Sequence, residues 1–146
     1  MTQTLHFEDV RLGDILPAWT RTTDFMHWNR YAAVNDEFMP FHMDDEDGRR
    51  AGNPAGAFGM GNLRFAYMLN ALQAWIGDAA EVRELTCRYR LMNQKHDELT
   101  VVGRVVAADL VGDEGQVRLE IDVTNQEGES TCPGHAIVIL PRRAAT

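Results

Sequence analysis

Residues 115–124 read GQVRLEIDVT, and apolar and charged side chains alternate along them almost without a break. Val117, Leu119, Ile121 and Val123 fall on one face; Arg118, Glu120 and Asp122 fall on the other. That is the period of a strand with one buried side. VRELTCRYRL (82–91) alternates in the same way, with Leu85, Cys87, Tyr89 and Leu91 opposed to Thr86, Arg88 and Arg90. LTVVGRVVAADLV (99–111) and HAIVIL (135–140) complete a strand-rich second half. Gly112–Gly115 and NQEGES supply hairpin-like breaks between them. Ahead of the strands lies one long apolar segment, residues 60–76, ended by Gly77. Leu63, Phe65, Ala66, Leu69, Leu72, Trp75 and Ile76 cover much of its circumference, which predicts a central, buried helix. An antiparallel sheet curved around one long helix is the simplest architecture that buries both apolar surfaces, so the expected class is α+β.

The first half is built from shorter pieces. A short strand is expected near residues 15–20. TRTTDFMHWNRYAAVN offers Thr23 or Asp24 as an N-cap, with Phe25, Trp28, Tyr31 and Ala32 at helical spacing up to about Asn35. Pro40 stops any continuation. Asp44 can cap a second short helix, with Asp45, Glu46 and Asp47 at its positive end and Arg49 and Arg50 in its last turn, as the helix dipole favours. The acidic cluster therefore has a structural explanation, and its spacing does not fit a calcium loop.

At 146 residues and 45% hydrophobic, with no Pro- or Ser-rich linker, the chain is expected to form a single domain over 1–146. The opening MTQTLHFEDV has neither a basic nor an apolar leader region, and residues 57–76 are interrupted by Asn62, Arg64, Asn70 and Gln73. No membrane association is expected, and a cytoplasmic protein is the reading. Cys87 and Cys132 form no CxxC pair and read as reduced thiols. A net charge of -8 argues against nucleic acid as a partner. Lys95 is the single lysine; the Arg49–Arg50 and Arg88–Arg90 pairs are candidate anion contacts.

RYAAVNDEFMPFHMD begins at Arg30 and sets two adjacent carboxylates, Asp36 and Glu37, five or six residues before His42. It resembles, without a gap, the hydration motif of the MaoC-like dehydratases and (R)-specific enoyl-CoA hydratases, which have the hotdog fold. Arg30, Tyr31 and Ala32 fall on the motif's start, and Phe38, Pro40, His42 and Asp44 on its end. FEDVRLGDILP is similar to the family's entry sequence, and PAGAFGM to its Pro…His-Gly-Met segment at the head of the hotdog helix. Three positions depart from the pattern. Glu37 stands where the family has its catalytic aspartate, Met39 where it has asparagine, and Phe58 where it has histidine. An alternative alignment uses Asp36 as the acid and absorbs one inserted residue.

The resemblance implies a hydro-lyase acting on a 2-enoyl or 3-hydroxyacyl thioester of coenzyme A, with no metal or other cofactor. Its acid/base pair would be Glu37 (or Asp36) and His42. Its substrate-binding elements would be Phe58, Met60 and Gly59, the last donating its N–H to the thioester oxygen. A carboxylate and an imidazole can share one water, and amides at a helix N-terminus can stabilise an oxyanion. The resemblance also implies a homodimer or higher homo-oligomer. The alternative is a weak or inactive subunit of a heteromeric acyl-CoA hydratase with a second hotdog chain, as in enzymes of steroid side-chain metabolism. A thioesterase is the third reading. His27, His96 and His135 read as structural or exposed. Cys132 and His135, three apart on a strand, point to opposite faces and do not suggest nucleophilic catalysis.

Overall fold

The computed structural model describes residues 4–144. Five antiparallel strands form one sheet. In chain order they are β1 (Trp19–Thr22), β2 (Glu81–Cys87), β3 (Glu98–Val111), β4 (Glu114–Thr124) and β5 (Gly134–Leu140). Their spatial order is β1-β3-β4-β5-β2, so β4 is central and β1 and β2 are the edges. Val117, Leu119, Ile121 and Val123 of β4 are all buried, as the alternation predicts, with Ala136, Val138 and Leu140 of β5 beside them. A register shift between Val105 and Ala107 bends β3, where a strand of 14 residues must turn to follow the curl.

Four helices accompany the sheet: α1 (Phe25–Asn35), α2 (Pro40–Met43), α3 (Asp45–Arg50) and α4 (Gly61–Ile76). The long helix α4 packs on β2, β3 and β4. It is not buried all round. Leu63, Arg64, Tyr67, Met68, Ala71, Leu72 and Ile76 face inward, while Phe65, Ala66, Leu69 and Trp75 are only half-buried. One side of the helix seals the sheet; the other is an apolar surface that this chain covers in part.

The cap of α1 is Asp24, whose carboxylate accepts from the Met26 and His27 amides at 3.0 and 3.4 Å. Thr23, the other candidate, is buried and accepts from the Asn93 side chain. Asp36 ends α1 with a left-handed backbone, φ 54°, a conformation that Asp tolerates better than most residues. Asp44 caps α3 as expected, accepting from the Glu46 and Asp47 amides.

Two boundaries differ from expectation. The first strand begins at Trp19 rather than near residue 15, and Ile15 makes only an isolated bridge to Arg104. The second ends at Cys87, four residues before the alternating pattern does. Beyond it, the Arg88 and Arg90 amides donate to the carbonyls of Pro133 and Thr131. The chain thus stays beside residues 131–133, but as an irregular segment that turns toward the N-terminus of α4.

Leu72 is fully buried and Asn70 is exposed. Leu72→Ala is expected to cost about 2–5 kcal/mol in urea unfolding, and Asn70→Ala less than about 0.5 kcal/mol. Equal losses would mean that α4 does not bury the face assigned to it.

Candidate active site

His42 lies in the single turn of α2, which Pro40 opens at the position where a missing N–H costs nothing. Its side chain is 6% exposed. Nδ1 is 2.7 Å from the Phe58 carbonyl oxygen. A carbonyl can only accept, so Nδ1 carries the proton and Nε2 is left as the free nitrogen. The rings of Phe41 and Phe58 stack at 5.5 Å and both meet the imidazole edge-on. Burial pushes the His42 pKa below its usual value. The Phe58 carbonyl and the Glu37 charge oppose that shift, and the Arg64 guanidinium adds to it.

His42 opens onto a cleft of about 270 Å³ walled by Phe58, Gly59, Gly61, Arg64 and Tyr89, with residues 90–92 completing it. Both glycines are required by close approach. A Cβ on Gly59 would run into the Asn93 side chain, and one on Gly61 into the Tyr89 ring. The cleft sits at the N-terminus of α4, where backbone N–H groups lack helical partners and the dipole is positive.

Two of the sequence-predicted residues behave differently from their expected roles. The Gly59 N–H, expected to face the substrate oxygen, donates to the Asn93 carbonyl at 2.9 Å. It is committed to holding the loop, and Gly61, the first residue of α4, also lines the cleft. Met60 is 0% exposed and belongs to the core. Its position before the helix put it next to the site, but its side chain points the other way. Phe58 does line the cleft, with its ring and its carbonyl both against His42.

The two adjacent carboxylates have different surroundings. Asp36 is exposed. Glu37 is half-buried, and its Oε2 accepts from Asn62 Nδ2 at 3.1 Å. Asn62 Oδ1 in turn accepts from the Tyr89 hydroxyl at 2.7 Å. Glu37 is not part of the wall of the His42 cleft. It stands beyond the Asn62–Tyr89 pair, near enough for its charge to act on both His42 and Tyr31. Phe38 and Met39, which follow it, are 60% and 43% exposed.

A polar clamp holds the loop between α3 and α4. The single lysine, Lys95, places Nζ 2.6 and 2.8 Å from the two Asp45 oxygens. Asp45 also accepts from the Ala57 amide at 2.9 Å. Lys95 and that amide hold the Asp45 carboxyl below the ordinary range, Lys95 having the larger effect. Buried Asn53 bonds to the Gly56 carbonyl and to Gln94. The loop that carries Phe58 and Gly59 is therefore tied at both ends to residues 93–97.

Sequence reasoning missed three residues of this site: Asn62, Tyr89 and Arg64. Arg64 is 3% exposed. Its Nη1 donates to the carbonyls of Leu91 and Thr131 at 2.6 and 3.0 Å, and its Nε has no partner. A charged residue within an apolar helix was the available signal. Elsewhere, His27 pairs with Asp24, and His135 bonds to Thr86 and Glu84, so both have structural partners. Cys87 and Cys132 are free thiols, and burial pushes Cys132 up to about 12. Among the described residues no group of three His, Cys, Asp or Glu side chains is placed to hold a metal ion, and no helix is long and apolar enough to cross a membrane.

No family model and no curated protein sequence matches the chain. Solved structures do match it. The (R)-hydratase PhaJ1 of Pseudomonas aeruginosa superposes with a TM-score of 0.84 at 20% identity, over 96% of this chain and 88% of that one. A MaoC-like dehydratase of Rhodospirillum rubrum gives 0.81 at 23% identity, over 97% and 99%. A chain of the ChsH1-ChsH2 complex of Mycobacterium tuberculosis gives 0.79 at 17% identity, over 89% and 98%. The chain has the α+β hotdog fold of these solved structures.

The lowered pKa of His42 has a definite sign in stability. In the unfolded chain the imidazole titrates near 6.5; in the folded protein it titrates lower. The folded state therefore gains from neutral His42 above about pH 6.5 and loses that gain as pH falls toward the folded value. Urea unfolding at about pH 7.5 and about pH 5.5 should show a steeper loss for wild type than for His42→Phe. A parallel loss in the two would mean that His42 titrates normally.

Proposed function

We propose that this protein adds water to, or removes it from, the double bond of a 2-enoyl thioester of coenzyme A. The observation that carries this reading is the buried His42 imidazole. Its Nδ1–H is committed to Phe58, and its ring stands in a cleft at the N-terminus of the hotdog helix. The structural likeness to an (R)-hydratase and a MaoC-like dehydratase supports the same kind of reaction.

In the hydration direction a neutral His42 uses Nε2 to take a proton from water as the oxygen bonds to the β carbon. The electrons of the double bond move toward the thioester oxygen, where the Gly61 amide and the dipole of α4 stabilise the enolate. The imidazolium then returns the proton to the α carbon, so one H and one OH are added in balance. This gives His42 the base role in the first step rather than only the acid role. Glu37 steadies the imidazolium by its charge. Released from Asn62, its longer side chain can hold the reacting water, completing the Glu/His pair. The groove between α1 and α4, walled by Tyr31, Val34, Leu63 and Tyr67, offers about 450 Å³ for the acyl chain.

A second reading is favoured by one further observation. Phe38, Met39, Tyr89, Leu91 and Met92 are 43–60% exposed around the site. Together with the half-covered face of α4 and the free edges β1 and β2, this apolar rim suits a second hotdog chain, identical or different. The likeness to a chain of the ChsH1-ChsH2 complex supports a heteromer as that alternative.

Absorbance of the conjugated thioester tests both. Purified protein with short, medium and bulky 2-enoyl-CoA substrates is expected to bleach it. His42→Ala should lower kcat by at least about a hundredfold, and Glu37→Gln by about tenfold or more. No bleaching by wild type on any chain would turn the reading to the partner-dependent subunit.

A further inference from the structure

Arg64 is a cation in the wrong place for a merely structural side chain. It is 3% exposed, and no carboxylate pairs with it among the described residues. Two carbonyls, of Leu91 and Thr131, satisfy Nη1, while Nε is unpartnered. Those two bonds tie α4 to the segment carrying Tyr89 and explain where the side chain lies. The Tyr89 ring, its centroid 5.6 Å from the guanidinium carbon, answers part of the charge; the two carbonyls do not require it, because a neutral amide could donate to the same oxygens. A buried charge is costly, and replacing one with a similar apolar side chain is often neutral or stabilising. Arg64 also walls the same cleft as His42 and Gly61.

We propose that Arg64 is a positioning residue whose charge, matched by no carboxylate, contributes to the electrostatics of the His42 cleft and fits it for an anion formed beside the α4 N-terminus. The identity of that anion, the enolate oxygen of a thioester, rests on the hydration reading; the action on His42 does not.

The groups that bear on His42 are few. Glu37, after α1, draws protons toward it. The Phe58 carbonyl does the same; burial opposes both and has the largest effect, and Arg64, on α4, adds to burial. From the irregular segment, Tyr89 and Arg90 share the cleft. Tyr89 is pushed up to about 12, chiefly by burial, so its hydroxyl stays neutral. Arg64 therefore favours the neutral imidazole in the resting site, and when negative charge grows on a bound molecule the same guanidinium attracts it through a low-dielectric path. Arginine suits the task because it remains charged when buried.

The test is NMR titration of isotope-labelled histidine, with the His42 signal assigned by its absence in His42→Gln. Wild type is expected to titrate below an ordinary histidine. Arg64→Gln, which keeps a donor but loses the charge, should move the His42 midpoint upward, and Arg64→Lys should leave it near the wild-type value. In the hydration assay kcat should fall on the order of tenfold in Arg64→Gln and less in Arg64→Lys. That is below the roughly hundredfold loss expected for a direct oxyanion donor. An unchanged midpoint in Arg64→Gln, whatever its melting temperature, would make Arg64 a structural pin and overturn the proposal. Should that variant not fold, Arg64→Met, which keeps the stem and loses the charge, is titrated in its place: an upward shift of the His42 midpoint supports the proposal, and an unchanged one overturns it. A shifted midpoint in a protein that hydrates nothing would retain the electrostatic role and discard the hydration reading.

Discussion

A sheet with one apolar face has to bury it, and in this chain α4 does so. Leu63, Tyr67, Met68, Ala71, Leu72 and Ile76 meet the inward side of β4 and of β2 and β3. Everything chemical lies at one end of that contact. Because α4 is fixed along its length, its N-terminus is a rigid point. The loop before it, the turn of α2 and the irregular segment after β2 converge there. Site precision in this fold comes from helix-on-sheet packing, with the loops tied to it by short polar bonds rather than by bulk.

The convergence depends on pairs of residues distant in sequence. Gly59 gives its amide to Asn93, Lys95 pairs with Asp45, Asn62 joins Glu37 to Tyr89, and Arg64 reaches Leu91 and Thr131. Each couples the first half of the chain to the second. The buried imidazole of His42 is tuned by what this network leaves beside it: a carbonyl, two aromatic rings, one carboxylate and one guanidinium.

Periodicity made β3, β4, β5 and α4 legible, because a half-buried strand and a core-facing helix repeat at different intervals. The caps of α1 and α3 were legible because Asp24 and Asp44 sit directly before apolar or acidic helical turns. The end of β2 was not. Residues 88–91 keep the alternation of a strand, and only the carbonyls of Pro133 and Thr131, some forty residues away, show that the ladder has lapsed. At the site, His42 and Phe58 could be named from the motif they resemble. The occupation of the Gly59 amide could not, since nothing local announces Asn93. Met60 was misplaced for a related reason: spacing puts it beside the cleft, but the direction of its side chain is decided by the core. Arg64 was visible as an arginine inside an apolar helix, and sequence gave no means of telling a snorkelling side chain from a buried one.

The clamp between Lys95 and Asp45 has a chemical corollary. Every other basic side chain in the chain is arginine or histidine, so this structural ion pair holds the sole side-chain amine. Transfer of an acyl group to Lys95 would erase its charge, leave Asp45 with only the Ala57 amide, and slacken the loop that presents the Phe58 carbonyl to His42. The loss of one ammonium on α3's side of the loop would thus be felt at the tautomer of the imidazole in the cleft.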